Sequence, residues 1–309
     1  MDDIPFLGLV EVGKNIQSGK VSSVEVTQTI LERIDKLDDI YSSYALVMKE
    51  SALSEAKKAD EEIKAGKIRG ALHGVPIAVK DLCDTEGIIT SCGMPMFNNR
   101  VPSRDSTVVA RLRCAGAIIV GKLQMTEGAL AMHHPDIVPP VNPWVKNRWS
   151  GASSSGSGVS VAAGLTYGSL GSDTGGSIRF PSLCNGIVGL KVTWGRVSRF
   201  GVFPLSDTLD HVGPMARKVE DVAAMMGVIA GIDEQDSTTL PDKVPNYLGE
   251  VSSGVSGVRV GIDYKYINNN TDDKILNAAR ACIEALKSGG AEIIEIEMPQ
   301  TNNAVKGWV

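Results

Sequence analysis

The chain has 309 residues, 43% hydrophobic and 22% charged, with 33 Gly and 5% aromatic side chains, a globular composition that excludes a disordered, collagenous or coiled-coil chain. Lys and Arg number 31 against 36 Asp and Glu, a formal net charge of −5. The charges are scattered, so there is no basic stripe to neutralise phosphates and no nucleic-acid partner is expected.

The N-terminal run MDDIPFLGLVEVGKNI (1–16) carries two aspartates where a signal peptide needs positive charge. No apolar run approaches the ~18 residues of a membrane span, so a soluble, cytoplasmic protein without a membrane partner is expected. Cys83, Cys92, Cys114, Cys184 and Cys282 show no CxxC pair and no metal-ligand spacing to histidine. They read as reduced, mostly buried thiols, with no metal or cofactor implied.

Residues 1–66 look helical. Ser22 and Glu25 have the spacing of a capping box, after which Val26, Ile30, Ile34 and Leu37 share one face. A second helix, about 51–65, turns Leu53, Ala56, Ala59 and Ile63 inward, shows its charges to water and stops at Gly66. GVPIAVKD (74–81) then reads as a buried strand ending at Lys80. A helix over 106–115 precedes a strand over 117–120. The order strand (258–262), helix (273–287), strand (291–297) closes the chain, the pattern of parallel strands covered by helices. The expected class is therefore α/β, as one large domain.

Several motifs do not support the chemistry that they suggest. Gly116–Lys122 fits G-x-x-x-x-G-K, but Leu123 follows where a P-loop has a hydroxyl, and the intervening residues are β-prone. Ser54 and Lys57 fit S-x-x-K on a charged helix face with no pocket signal. His73, His133, His134 and His211 have no G-x-S-x-G elbow to serve, and adjacent His133 and His134 lack the spacing of a helical metal pair.

Between Ser150 and Ile178 there is one charged residue, Asp173, in SGASSSGSGVSVAAGLTYGSLGSDTGGSI. A flexible linker would not need the Val159, Val161, Leu165 and Leu170 interleaved there. Buried Gly/Ser sequence instead means close backbone approach and many amide N–H groups aimed at one place, as an oxyanion hole requires.

Together with that run, GVPIAVKD (74–81), AGAIIVGKLQMTEGA (115–129), NPW (142–144), GSDTGGSIRFPS (171–182) and GLKVTWGRVSRFGVFPLSDTLDHVGPMAR (189–217) resemble the amidase signature family in order and spacing. The resemblance covers the chain from about residue 5. It implies the family's fold, a central mixed, mostly parallel sheet covered by helices on both faces, in one domain over 1–309. Within it, 1–66 would be the helical N-terminal part, 67–217 the signature core and 218–309 a C-terminal part. Family members continue well past this length, so the resemblance also implies a C-terminally shortened chain.

The resemblance implies a Ser-Ser-Lys triad, with Ser177 as nucleophile, Ser153 as bridging serine after a cis peptide, and Lys80 as base. Ser154 would be a structural hydrogen-bonding neighbour, and Thr174, Gly175, Gly176 and Ser177 would supply oxyanion amides. The segment 125–134, Ala129 within it, would form part of an apolar pocket wall. Physically, a serine hydroxyl needs a base that is unprotonated at working pH. Bringing a lysine from ~10.4 to about 7.5 costs about 4 kcal/mol, which burial at the end of an apolar strand can supply. Asp81 opposes this unless it faces away, while Asp173 and Arg179 have the placement to pair and fix the loop.

The chain departs from the family's G-G-S-S-G-G run at Ala152 and Ser155, which matters if those positions need positive φ. The implied activity is hydrolysis of small neutral amides, anilides included, with esters or aryl carbamates as side substrates and a homodimer left open. The alternatives are the glutamyl-tRNA amidotransferase component of this family, its A polypeptide, which works with partner subunits, and a shortened, non-catalytic binding protein.

Overall fold

A computed structural model describes residues 4–299. The chain forms two compact units, Met1–Leu248 and Gly249–Val309. In the first, α1 (Leu9–Gln17) and α2 (Ser23–Tyr41) lead into β1 (Tyr44–Val47), α3 (Lys49–Lys64) and β2 (Pro76–Lys80). The capping box closes as its spacing predicts, with Ser22 Oγ accepting from the Glu25 N–H and the Glu25 carboxylate accepting from the Ser22 N–H. Next come α4 (Thr107–Cys114), β3 (Ile118–Leu123), α5 (Ser155–Ala162), β4 (Gly168–Asp173), α6 (Arg179–Asn185), β5 (Val188–Gly189), β6 (His211–Ala216) and α7 (Val219–Ile229).

The six strands form one mixed sheet in the order β1-β3-β2-β4-β6-β5. Parallel pairing is confined to its centre, β3-β2-β4, while β1, β6 and β5 join antiparallel. The sheet is therefore mixed but not mostly parallel. The reason is visible between β5 and β6, where residues 190–210 contain no crossover helix to carry the chain back for a parallel return. The core is continuous from α1 and α2 through the apolar residues of β2 and β3 to α7. Helices α2 and α3 pack on β3, α5 on β4 and α7 on β6.

The serine-rich stretch is a structural centre, not a linker. Seven of the eight residues of α5 are buried. A Cβ on Gly156 would lie 2.4 Å from the Ser43 carbonyl oxygen and 2.6 Å from that of Gln124, so only glycine lets this helix press against two backbones at once.

In the second unit, β7 (Arg259–Ile262) and β8 (Glu292–Glu295) pair in parallel, linked through the helix Asp273–Ser288. This is the expected β-α-β order. No helix among the described residues is long and apolar enough to cross a membrane. All five cysteines are free, but only Cys83 and Cys92 are buried, while Cys114 and Cys282 are exposed. Burial of most thiols is thus corrected: Cys114 is the last residue of α4, and its helix buries Val108, Val109 and Leu112 instead.

Candidate active site

Every residue of β2 is buried, and its last, Lys80, has no exposed surface. Lys80 Nζ donates to Ser153 Oγ at 2.6 Å and to Ser172 Oγ at 2.9 Å. Burial lowers its pKa from 10.5 to about 7, against the raising influence of Cys83, Asp173 and Asp210. The Cys83 thiol is itself pushed up to about 12 by burial, so at pH 7 it is neutral and gives Lys80 no counter-charge. Asp81 does face away. Its carboxylate accepts from the Ser91 N–H and Oγ and pairs with buried Lys122 at 3.3 Å. That pair also explains the G-x-x-x-x-G-K run: Lys122 ends inside the sheet, donating to the Cys83 carbonyl and to Thr90 Oγ1.

Ser153 lies at the end of the loop before α5, and the Ala152–Ser153 peptide is cis. Neither Ala152 nor Ser155 adopts positive φ; Gly151, which matches the family's glycine, does, at 82°. The two departures from the glycine pattern therefore leave the loop's backbone unstrained. Ser153 is tied by its carbonyl to the Thr126 N–H. Ser154 Oγ exchanges hydrogen bonds with the Ser172 backbone, and its N–H donates to the Ser177 carbonyl at 3.3 Å. Ser154 thus joins the bridging-serine loop both to β4 and to the nucleophile loop.

That second loop, Asp173 to Arg179, is organised around one carboxylate. Arg179 donates to Asp173 from Nε and Nη2 at 3.0 and 2.9 Å, and the Gly176 and Ile178 N–H groups donate to the same carboxylate. Burial alone would raise the Asp173 pKa, but Arg179 and the loop amides outweigh it and hold the carboxyl below its ordinary value. The Gly176 amide is therefore committed to Asp173 and not turned outward as an oxyanion donor. The Thr174, Gly175 and Ser177 amides donate to no group among the described residues. Thr174 Oγ1 donates to Asp210, whose other oxygen accepts from the Leu205 and Ser206 amides. Ser177 is partly exposed.

Beside Ser172 opens a cavity of about 260 Å³. Of the expected wall segment only Ala129 lines it, with positive φ of 64°; the rest comes from Arg199 to Val212 and from Gln235 and Asp236. The wall is therefore more polar than the Met-rich segment suggests, because the loop before β6 folds in where 125–134 was expected. Its charges are largely spent internally. Asp236 accepts from the Arg199 and Thr238 amides, and Arg199 donates to the Asp207 carbonyl and to Thr238 Oγ1.

The histidines offer no alternative base. His211 lines the cavity, but its Nδ1 is bonded to the Asp173 carbonyl and its Nε2 to Lys191 Nζ, both at 3.0 Å. His133 is bonded to Ser155 Oγ, and none of the four is bonded to Ser177 among the described residues. Sequence reasoning missed Ser172 and Asp210. Ser172 lies within the same GSDTGGS run as Ser177, and β4 pairs directly with β2, so a strand alternation carried through that run could have found it.

A sequence model of the family described as Amidase matches residues 25–309. The putative amidase AmiD of Mycobacterium tuberculosis (strain ATCC 25618 / H37Rv) is 49% identical over 272 residues, covering 88% of this chain and 57% of that protein. The GatA-type polypeptide of the glutamyl-tRNA(Gln) amidotransferase of Syntrophus aciditrophicus is 41% identical over 301 residues, 97% of this chain and 62% of its own length. Among solved structures, the native peptide amidase of Stenotrophomonas maltophilia superposes with a TM-score of 0.89 at 32% identity, over 97% of this chain and 64% of its own. The chain thus spans somewhat under two thirds of the relatives that it matches. With a family model matching from α2 onward and these relatives over nearly all of its length, the chain belongs to the amidase family.

Proposed function

We propose that the protein hydrolyses the C–N bond of small neutral amides, anilides among them, through an acyl-enzyme on Ser177. The observation that carries this reading is a fully buried lysine with a pKa of about 7, hydrogen-bonded at 2.6 Å to a buried serine. Near neutral pH a large share of Lys80 is a free amine, able to take the Ser153 proton as Ser153 takes that of Ser177. The Ser177 oxygen attacks the amide carbonyl, and the resulting oxyanion is met by the Thr174, Gly175 and Ser177 amides. The proton returns through Ser153 to the leaving amine, and water then releases the acid by the same relay. The cavity supports a small acyl group, since its 260 Å³ lies just below the usual ligand-pocket range. A neutral group fits because Asp210 and Asp236 are engaged with loop amides.

A second reading is favoured by the 41% identity to the amidotransferase polypeptide: the same centre would release ammonia from glutamine for a partner protein. The test is a fluorophosphonate probe with mapping of the modified residue, followed by hydrolysis of p-nitroacetanilide and of glutamine. Labelling at Ser177 with anilide turnover supports the first reading, and ammonia release from glutamine alone supports the second. A folded chain that neither labels nor turns over would be a binding protein.

A further inference from the structure

The two loops that hold Ser153 and Ser177 meet at an exposed aromatic pair that the mechanism does not use. Trp149 stands four residues before Ser153, and Phe180 three residues after Ser177. Their ring centroids are 6.0 Å apart at 46°, yet Trp149 is 58% and Phe180 47% exposed. Exposure of two large rings is not what packing alone produces.

The pair is held rigidly. A Cβ on Gly176 would lie 2.3 Å from Cε2 of Phe180, so the ring edge rests on the residue just before the nucleophile. A Cβ on Gly151 would lie 2.4 Å from Cα of Pro181, which presses the Trp149 loop onto the start of α6. The Trp149 carbonyl accepts from Asn142 Nδ2. Two aromatic faces are thus fixed at the nucleophile without a partner ring to complete their stacking, and neither residue lines the cavity beside Ser172.

We infer that Trp149 and Phe180 are specificity-determining residues that receive a planar aryl group of the substrate, its acyl end lying in the cavity. This rests on the amide-hydrolase reading above. A ring entering the angle between the two faces makes offset or edge contacts with both, and these orient the scissile bond over Ser177 at little entropic cost because the pair is already ordered. The substrate class is therefore the aryl amide in preference to an alkyl amide of equal bulk.

The test compares kcat/KM for acetanilide and N-cyclohexylacetamide, which share an acyl group and differ in the flat ring, in the wild type, Trp149→Ala, Trp149→Leu, Trp149→Phe and Phe180→Leu. Fluorophosphonate labelling of Ser177 is measured alongside. The anilide-to-cyclohexyl ratio is expected to fall about tenfold in the alanine and leucine variants, mostly through KM, and to stay within about threefold of wild type in Trp149→Phe, the scale of one aromatic contact. An unchanged ratio in Trp149→Leu and Phe180→Leu, with labelling intact, overturns the inference and leaves the hydrolase standing. Failure of the wild type itself to label or hydrolyse overturns the reading beneath it.

Discussion

Replacing Lys80 with methionine is expected to remove turnover and, at the same time, to make the protein harder to unfold at pH 7. Holding an ammonium-forming group at about 7 in place of 10.5 costs the fold about 5 kcal/mol at neutral pH. Methionine has similar length and no charge to desolvate. It leaves Ser153 and Ser172 without their shared partner, at about 1 kcal/mol each, so a net stabilisation of about 3 kcal/mol remains. Between pH 7 and 10.5 the unfolded chain binds a proton that native Lys80 does not, so wild-type stability rises with pH across that window. The contribution is complete above 10.5 and is lost as pH falls to 7. Urea unfolding followed by tryptophan fluorescence at pH 7, 8 and 9 reads this directly: the wild-type curve should gain on the variant by about 1.4 kcal/mol per pH unit. Parallel curves, or a variant less stable by several kcal/mol at pH 7, would mean that Lys80 is charged and ion-paired, and the base assignment would fall.

Three further outcomes follow from the same geometry. Because Lys80 must be neutral to accept a proton, kcat/KM should rise about tenfold per pH unit below pH 7 and level off above it, as initial rates across a buffer series will show. Asp173→Asn should lower kcat by about 10², since it weakens the hold of Arg179 and the Gly176 amide on the loop; KM should move less, and circular dichroism should report an intact fold. Gly151→Ala places a Cβ against Pro181 at φ 82° and should destabilise by about 3 kcal/mol, seen as a lower thermal midpoint with activity lost in parallel.

The sequence exposed the parts of this site that are local. The capping box of α2, the apolar run ending in Lys80 and the uncharged stretch through Ser153 and Ser177 are each contiguous, and each forms the element that its pattern predicts. What stayed hidden depends on strands distant in sequence. β1 is four residues with one buried position, too short to show alternation. The antiparallel flanks depend on how 190–210 returns, which no local period records. Gly176 read as an oxyanion donor because nothing in DTGGS reveals that Asp173 turns back on its own loop. The cavity wall was assigned to 125–134 for its apolar residues, whereas chain between Arg199 and Val212, polar and rich in turns, supplies most of it.

The placement of Lys80 and Asp81 makes strand parity a chemical property of this protein. Successive side chains of a strand point to opposite faces, so neighbours in sequence sit in separate compartments, one lysine-serine and neutral, the other a sealed Asp81–Lys122 pair. A one-residue slip of β2 against β3 and β4 would exchange them, setting a carboxylate beside Ser153 and a second ammonium beside Lys122. Deleting a single residue from 76–80 would thus abolish the base even in a chain that still folded, while deleting two would restore the alternation. The insulation of the reacting lysine is therefore encoded in an even count of residues, not in any one side chain.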